Sequence, residues 1–208
     1  MHLQPTVFLL EFTVTFPLLL ALCYLIGAIP TGVILTRLSG AGDIRHVGSG
    51  NIGATNVYRV AGRKLGVLTL VGDCLKGLLP LWWIVQSGAW SAEQIALAAA
   101  VTFLGHLYPV YLGFKGGKGV ATALGIFIVL SPLAVLIALF AFVAILWKWR
   151  YVSAASIAAA ALIPFLAGGI EGSFPLFAAS LFIGGMVILR HRANIKRLRA
   201  GTESRFKA

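Results

Sequence analysis

The sequence predicts an all-α, polytopic integral membrane protein with seven transmembrane helices, its N-terminus outside and its C-terminus in the cytoplasm. Three observations predict it. Hydrophobic residues make up 59% of the 208 and charged residues only 11%, which leaves too little polar surface to wrap a soluble core. Apolar runs at about 7–36, 65–86, 92–112, 119–147, 151–169 and 174–190 approach or exceed the length of a bilayer span. Lys and Arg, 17 against 6 Asp and Glu, cluster at 37–64, 115–118, 148–150 and 190–207, and short basic loops stay in the cytoplasm.

The first run is longer than one span needs. Pro17 is expected to split it, so that the span proper covers about 16–36 and residues 1–15 form an N-terminal extension of unknown role. The run 65–86 contains Lys76, the one basic residue that falls inside an apolar segment. The links 87–93 and 168–174 carry no Lys or Arg and are placed outside. Segment 119–147 is basic at both ends, so it cannot be a single span with both ends in the cytoplasm. A break at Ser131-Pro132 resolves the conflict by folding it into a hairpin of two shortened helices. The first of these would be about 12 residues, roughly 18 Å against a core of about 30 Å. Six spans with a helix kinked through Pro132 is the alternative, and it strands one basic loop on the wrong side. The chain then reads as one membrane domain, 1–208, with 191–208 a cytoplasmic basic tail. No basic stretch precedes the first apolar run, so a cleaved signal peptide is not expected. Cys23 and Cys74 lie in apolar segments without ligand-like spacing and read as packing residues.

Three polar islands collect on the cytoplasmic face of this topology. The first, Arg45 to Lys64, reads "RHVGSGNIGATNVYRVAGRK". Arg37, Arg63 and Lys64 serve as loop charges, but Ser49, Asn51 and Arg59 exceed what topology requires, and a guanidinium at 59 suits bidentate phosphate contact. The second, from Gly105, reads "GHLYPVYLGFKGGKGVAT". Its glycines would leave amides uncovered just before a helix start, where the partial positive charge of the helix and two lysines favour an anion, most plausibly a phosphate. No Walker A spacing is present, so nucleotide hydrolysis is not expected. His106, in the preceding helix, reads as structural. The third island reads "RHRANIKRLRAGTESRF" from Arg190, and puts His191 and Asn194 three apart on one helical face with Arg190 and Arg197 near it. Lys196, Arg199, Arg205 and Lys207 suit anionic headgroups. Asp73 and Lys76 form an intramembrane i, i+3 pair and read as scaffold for the site. Ser153 and Ser156 begin the helix after residue 150, where a serine can bond its own backbone or reach a phosphate.

The absences narrow the chemistry. No zinc or two-metal constellation is present, no His-x-x-x-x-Asp pairing and no Gly-x-Ser-x-Gly elbow. The islands offer cations, amides, hydroxyls and a histidine–asparagine pair, without clustered carboxylates. They suit binding and orienting phosphorylated molecules, with rate arising from position and charge stabilisation. A transporter of a phosphorylated metabolite, and a scaffold for anionic lipid, are the competing classes. The transporter needs a polar path near the midplane, and the predicted helix interiors are apolar beyond Asp73 and Lys76.

"GSGNIGATNVYRVAGRKLG", "GHLYPVYLGFKGGKGVATALG" and "RHRANIKRLRAGTE" closely resemble the three motifs of bacterial acyl-phosphate:glycerol-3-phosphate acyltransferases, and "GDCLKG" and "RYVSAAS" are similar to that family too. The resemblance runs from about Leu20 to Phe206. It implies a multi-pass enzyme of the bacterial inner membrane that moves a fatty acyl group from acyl phosphate to the sn-1 hydroxyl of glycerol 3-phosphate, yielding lysophosphatidic acid and inorganic phosphate for phospholipid biosynthesis. It implies no cofactor, no metal and no nucleic acid, and a monomer whose partners are its two substrates and the bilayer. By motif match, Gly113, Phe114, Lys115, Gly116, Gly117, Lys118 and Gly119 would hold the acyl-phosphate group. Ser49, Arg59, Lys118, Ser156, His191 and Asn194 would line the glycerol 3-phosphate site, with His191, Asn194 and Ser49 at the reaction centre. The acyl tail would lie among helices. An acyl phosphate is already activated, so no enzyme nucleophile is needed, and either the donor's own phosphate or His191 would accept the hydroxyl proton. The sequence departs from the family before about Thr15 and, mildly, at Tyr111.

Overall fold

A computed structural model describes residues 5–206, with side chains from Thr15 onward. The described residues form helices and no strand. In chain order these are α1 Pro5–Gly27, α2 Thr31–Leu38, α3 Ala54–Ala61, α4 Arg63–Ser87, α5 Ala92–Leu107, α6 Val120–Leu130, α7 Pro132–Trp149, α8 Val152–Glu171, α9 Phe174–Arg190 and α10 Arg192–Arg199. Four of the described helical segments are long and apolar enough to cross a membrane, and six if the bent pairs α1–α2 and α9–α10 each count as one span. The short helix α6 supplies one further apolar segment. Large apolar side chains cover the outside, Trp82, Trp83, Phe140 and Trp147 among them, with Trp147 84% exposed. Apolar cover on this scale marks a surface made for lipid.

The breaks between helices decide the shape. Helix α1 runs through Pro17 without stopping, which corrects the expected split there. A proline is tolerated within an apolar helix when the freed groups are otherwise satisfied. The break instead falls at Ala28–Pro30, where the chain bends by 43°. Pro30 has no N–H to continue the helix, and it restricts Ile29 before it. The Ile29 carbonyl is not abandoned there: the Lys76 ammonium donates to it at 2.7 Å and pairs with Asp73 at 2.7 Å. The ammonium thus adds a second donor to a carbonyl that also takes the Thr31 N–H at 3.1 Å.

Ser131 ends α6 and Pro132 begins α7, where the sequence placed the hairpin. The fully buried Ser131 hydroxyl donates to Glu171 at the end of α8, 2.7 Å away. At 11 residues α6 is roughly 17 Å long. It is packed face to face on α4, its most extensive contact being there. Glycines make that approach possible: a Cβ on Gly125 would collide with the Cys74 carbonyl, and one on Gly77 with the Thr122 carbonyl. Beyond α6 the core is filled by Phe103, Leu107, Ile126, Phe127, Ile163 and Ile183, all buried. Replacing Gly125 with Val should force α4 and α6 apart and cost about 3 kcal/mol of stability. A drop of many degrees in the thermal unfolding midpoint of the detergent-solubilised variant is the expected result.

Candidate active site

The N-terminal side of the site is the loop 47–53 and α3. Asn56, 3% exposed, organises it. Its Oδ1 accepts from the Ser49 N–H at 2.9 Å, and its Nδ2 donates to the carbonyls of Asn51 at 2.9 Å and Val47 at 3.1 Å. Gly48, at φ +64°, passes so close to Asn56 that no side chain would fit. Asn51 turns its own Oδ1 to the Gly53 N–H, 2.9 Å away. The Ser49 hydroxyl has no protein partner among the described residues and faces a cavity. Nearby, Asp43 gathers Arg37 and Arg45 at 2.7 and 2.6 Å, which holds its carboxyl well below the usual range.

The loop 113–119 links α5 to α6, and its amides are largely spent. The N–H groups of Phe114, Gly116 and Gly117 donate to the carbonyls of Pro109, Leu107 and His106 at 2.9, 3.1 and 3.2 Å. The expectation of a bare amide cradle along the whole loop is therefore corrected: these amides satisfy the C-terminal end of α5, whose last carbonyls would otherwise be open. Gly113, Phe114 and Lys115 are exposed and lie away from the cavity, whereas Lys118 and Gly119 line it. The first helical bond of α6 is Ala123 N–H to Gly119 O, so the amides of 120–122 have no intrahelical acceptor. His106 supports the loop from beneath: its carbonyl takes the Gly117 N–H, and its ring lies so close under Gly117 that a Cβ there would collide with it.

The C-terminal island completes the cavity. The chain bends by 55° at His191, and α10 turns back over the cleft. Lys118 Nζ donates to Asn194 Oδ1 at 2.6 Å, and Asn194 Nδ2 donates to Glu203 at 2.6 Å. Ser153 and Arg197 each reach the same carboxylate at 2.7 Å. The sequence reading did not single out Glu203, the carboxylate on which these donors converge. The segment behind α10 is no free tail: Ser204 O accepts from Arg59 at 3.3 Å, and Phe206 N–H donates to Arg150 O at 2.6 Å, with the Phe206 ring on Tyr58. Burial alone would raise the Glu203 carboxyl, but donors from Ser153, Asn194 and Arg197 outweigh it and hold it below its usual range. Burial pushes the Lys118 ammonium down to about 8, opposed by Glu203 and aided by Arg197, Arg59 and Arg190.

The result is a cavity of about 170 Å³ whose wall includes Ser49, Arg59, Lys118, Ser156, His191 and Asn194 together. Asp73 and His106 stand in the same wall. Ser156 donates to Val152 O at 2.9 Å, a bond to its own helix, so its lone pairs are what it offers the cavity. Leu70, Val120, Ala121, Phe142 and Ser156 also border a second cavity of about 250 Å³, enclosed by apolar side chains of α6, α7, α8 and α9. One polar, cationic chamber therefore shares a wall with one apolar groove.

A family model described as glycerol-3-phosphate acyltransferase matches residues 17–201. This chain belongs to the glycerol-3-phosphate acyltransferase family. A glycerol-3-phosphate acyltransferase of Syntrophotalea carbinolica is 61% identical over 194 residues, which cover 93% of this chain and 99% of that one. One of Geotalea daltonii is 56% identical, covering 88% and 94%. The crystal structure of PlsY (YgiH), an integral membrane glycerol 3-phosphate acyltransferase, in its glycerol 3-phosphate form superposes with a TM-score of 0.88 at 40% identity, covering 93% of this chain and 96% of that one. The same protein in its lysophosphatidic acid form gives 0.86 at 39%. The chain is accordingly an integral membrane enzyme of the acyltransferase class, all-helical throughout its described residues.

Replacing Glu203 with Gln in this acyltransferase keeps one oxygen to accept from Ser153 and Asn194 but removes the charge that Arg197 pairs with and turns an amide donor toward it. Glu203→Gln should cost about 3 kcal/mol, read as a lowered thermal midpoint, whereas Arg199→Gln on the exposed surface should cost under about 0.5 kcal/mol.

Proposed function

We propose that this protein transfers a fatty acyl group from acyl phosphate to the sn-1 hydroxyl of glycerol 3-phosphate, releasing lysophosphatidic acid and inorganic phosphate, in the inner membrane of a bacterium. It acts as a monomer with seven spans, the three polar islands facing the cytoplasm. The observation that carries this reading is the wall that the two cavities share. A lipid donor with a phosphorylated head needs an apolar groove beside a cationic chamber, and Leu70, Val120 and Ser156 border both. The acyl tail lies in the groove. The head phosphate meets Lys118 and the free amides at the start of α6, while the glycerol 3-phosphate lies against Arg59, Lys118, Ser156, His191 and Asn194.

The reaction is then an addition and elimination at the acyl carbon. The sn-1 oxygen bonds to that carbon, the carbon–oxygen bond to phosphate breaks, and phosphate leaves with the electron pair. His191 is suited to take the hydroxyl proton. Its Nδ1 lies 2.8 Å from the Val187 carbonyl, which can only accept, so Nδ1 carries the proton and Nε2 presents a lone pair. Burial and the neighbouring Lys118 charge push its imidazole down to about 4, a weak base, so the donor's own phosphate stands as the alternative acceptor. Asn194, held by Lys118 and Glu203, orients the hydroxyl, and the unpartnered Ser49 hydroxyl steadies the glycerol. The groove is walled by apolar side chains, Phe127 and Ile183 among them, and an apolar passage suits a polar solute poorly, which favours this reading over transport.

Purified protein given palmitoyl phosphate and glycerol 3-phosphate should form lysophosphatidic acid and phosphate, and palmitoyl coenzyme A in place of the acyl phosphate should give none. His191→Ala should lower kcat about 100-fold or more with little change in thermal midpoint. Near-full turnover by that variant would return the proton to the donor's phosphate.

The pH profile supplies a separate check. Glycerol 3-phosphate is largely dianionic above its second pKa of about 6. Lys118 is charged below about 8 and loses its charge as pH rises through that value. The KM for glycerol 3-phosphate should therefore rise between about pH 7.5 and 9. In Lys118→Arg, which stays charged throughout, the rise should vanish, whatever the absolute KM.

A further inference from the structure

Arg190 is not part of the cavity wall, yet it touches the loop that is. Its Nη2 donates to Gly116 O at 2.8 Å and its Nε to Gly117 O at 3.0 Å, with the guanidinium 5.7 Å from the centre of the Tyr108 ring. The fork thus takes two successive carbonyls of one loop. On the other side, the Gly116 and Gly117 amides are taken by Leu107 O and His106 O. Both polar groups of each of these two residues are engaged, which leaves the loop no freedom to turn a peptide plane.

The consequence lies one residue on. In a trans peptide the C=O and the next N–H point in opposite directions, and no cis bond occurs among the described residues. With the Gly117 carbonyl turned to Arg190, the Lys118 N–H must point away from Arg190. It has no acceptor among the described residues, and Lys118 and Gly119 border the cavity. Gly119 at φ +80° then starts α6, whose first amides are open on the same side.

Building on the function proposed above, we propose that Arg190 is a positioning residue for the acyl-phosphate head: by holding the Gly116 and Gly117 carbonyls it aims the Lys118 N–H, with the first amides of α6, at the leaving phosphate. A carbonyl dipole facing the chamber would repel that anion, and the fork keeps two of them turned away. Arg190 also stands immediately before His191, so the same turn of α9 sets both the loop that receives the leaving group and the imidazole that takes the proton. A lysine at 190 could satisfy only one carbonyl, because an ammonium lacks the planar fork.

The test is a set of constants from full-length wild type, Arg190→Gln and Arg190→Lys in detergent. Arg190→Gln should raise the KM for palmitoyl phosphate and the inhibition constant of inorganic phosphate by about tenfold or more each. The KM for glycerol 3-phosphate, which is read mainly by side chains, should change by less than about threefold. Arg190→Lys should recover only part of the loss, while both variants keep a thermal midpoint close to wild type. A folded Arg190→Gln with wild-type constants for palmitoyl phosphate and phosphate would overturn the proposal. So would failure of both variants to fold, which would make Arg190 a structural residue only. If the wild-type chain itself transferred no acyl group, the functional reading would fall first; unchanged constants against an active wild type would sink the Arg190 assignment alone.

Discussion

A backbone carbonyl opened inside an apolar setting must be given a donor, and the fold depends on how this chain meets that demand. Lys76 does it at Ile29 together with the Thr31 N–H, reaching across from α4 to the break between α1 and α2. An isolated ammonium at that depth would be costly, so Asp73 stands one turn away to pair with it. The carboxylate then reaches the floor of the cavity, beside His106 at 3.8 Å. One satisfied break thereby fixes the position of α4, and α4 fixes α6 through the glycines at their crossing.

Polar side chains also meet at three other interruptions. Ser131 and Glu171 close the turn between α6 and α7. Arg190 and the end of α5 close the glycine loop. His191, at the bend between α9 and α10, spends its Nδ1 on Val187. Polar side chains that would otherwise be hard to keep in such a sequence gather at these interruptions. The breaks at Ile29, the glycine loop and His191 border the same chamber or hold the groups that do. The chamber is therefore built beside places where regular helix fails, and of the side chains at those breaks His191 itself lines it.

Much of this was legible in the sequence, for reasons that can be stated residue by residue. The turn at Ser131-Pro132 was readable because a charge conflict demanded a break and a proline supplied it. Pro17 misled by the same local rule: nothing nearby in sequence tells which proline interrupts a helix and which is absorbed, since that depends on donors from other helices. Ser49, Arg59, Lys118, His191 and Asn194 stood out because small polar and cationic residues are scarce in a chain that is 59% hydrophobic. Glu203 did not, although it is the lone acidic residue in a run of cations after Arg190, which was the available signal. The glycine loop was misjudged in detail because its amides pair with Leu107 and His106 across a turn whose geometry no spacing rule predicts.

The charge arrangement sets the shape of the chamber. Lys118, Arg59 and Arg197 would repel one another in a half-buried space. Glu203 lies among them and takes donors from Ser153, Asn194 and Arg197, so the cations are offset before any phosphate arrives. Its carboxylate is saturated by those donors, which holds it ionised and makes it a poor proton acceptor. Asn194 is the hinge of the arrangement: its oxygen faces Lys118 and its amide faces Glu203, so its orientation is set by charge on both sides rather than by packing. An anion entering the chamber meets donors already aimed by their neighbours, and little of the interaction is lost to rearrangement. The apolar groove, which carries none of this charge, contributes binding through burial alone. Charge and apolar burial are thereby kept in two adjoining compartments whose shared wall is Leu70, Val120, Ala121, Phe142 and Ser156.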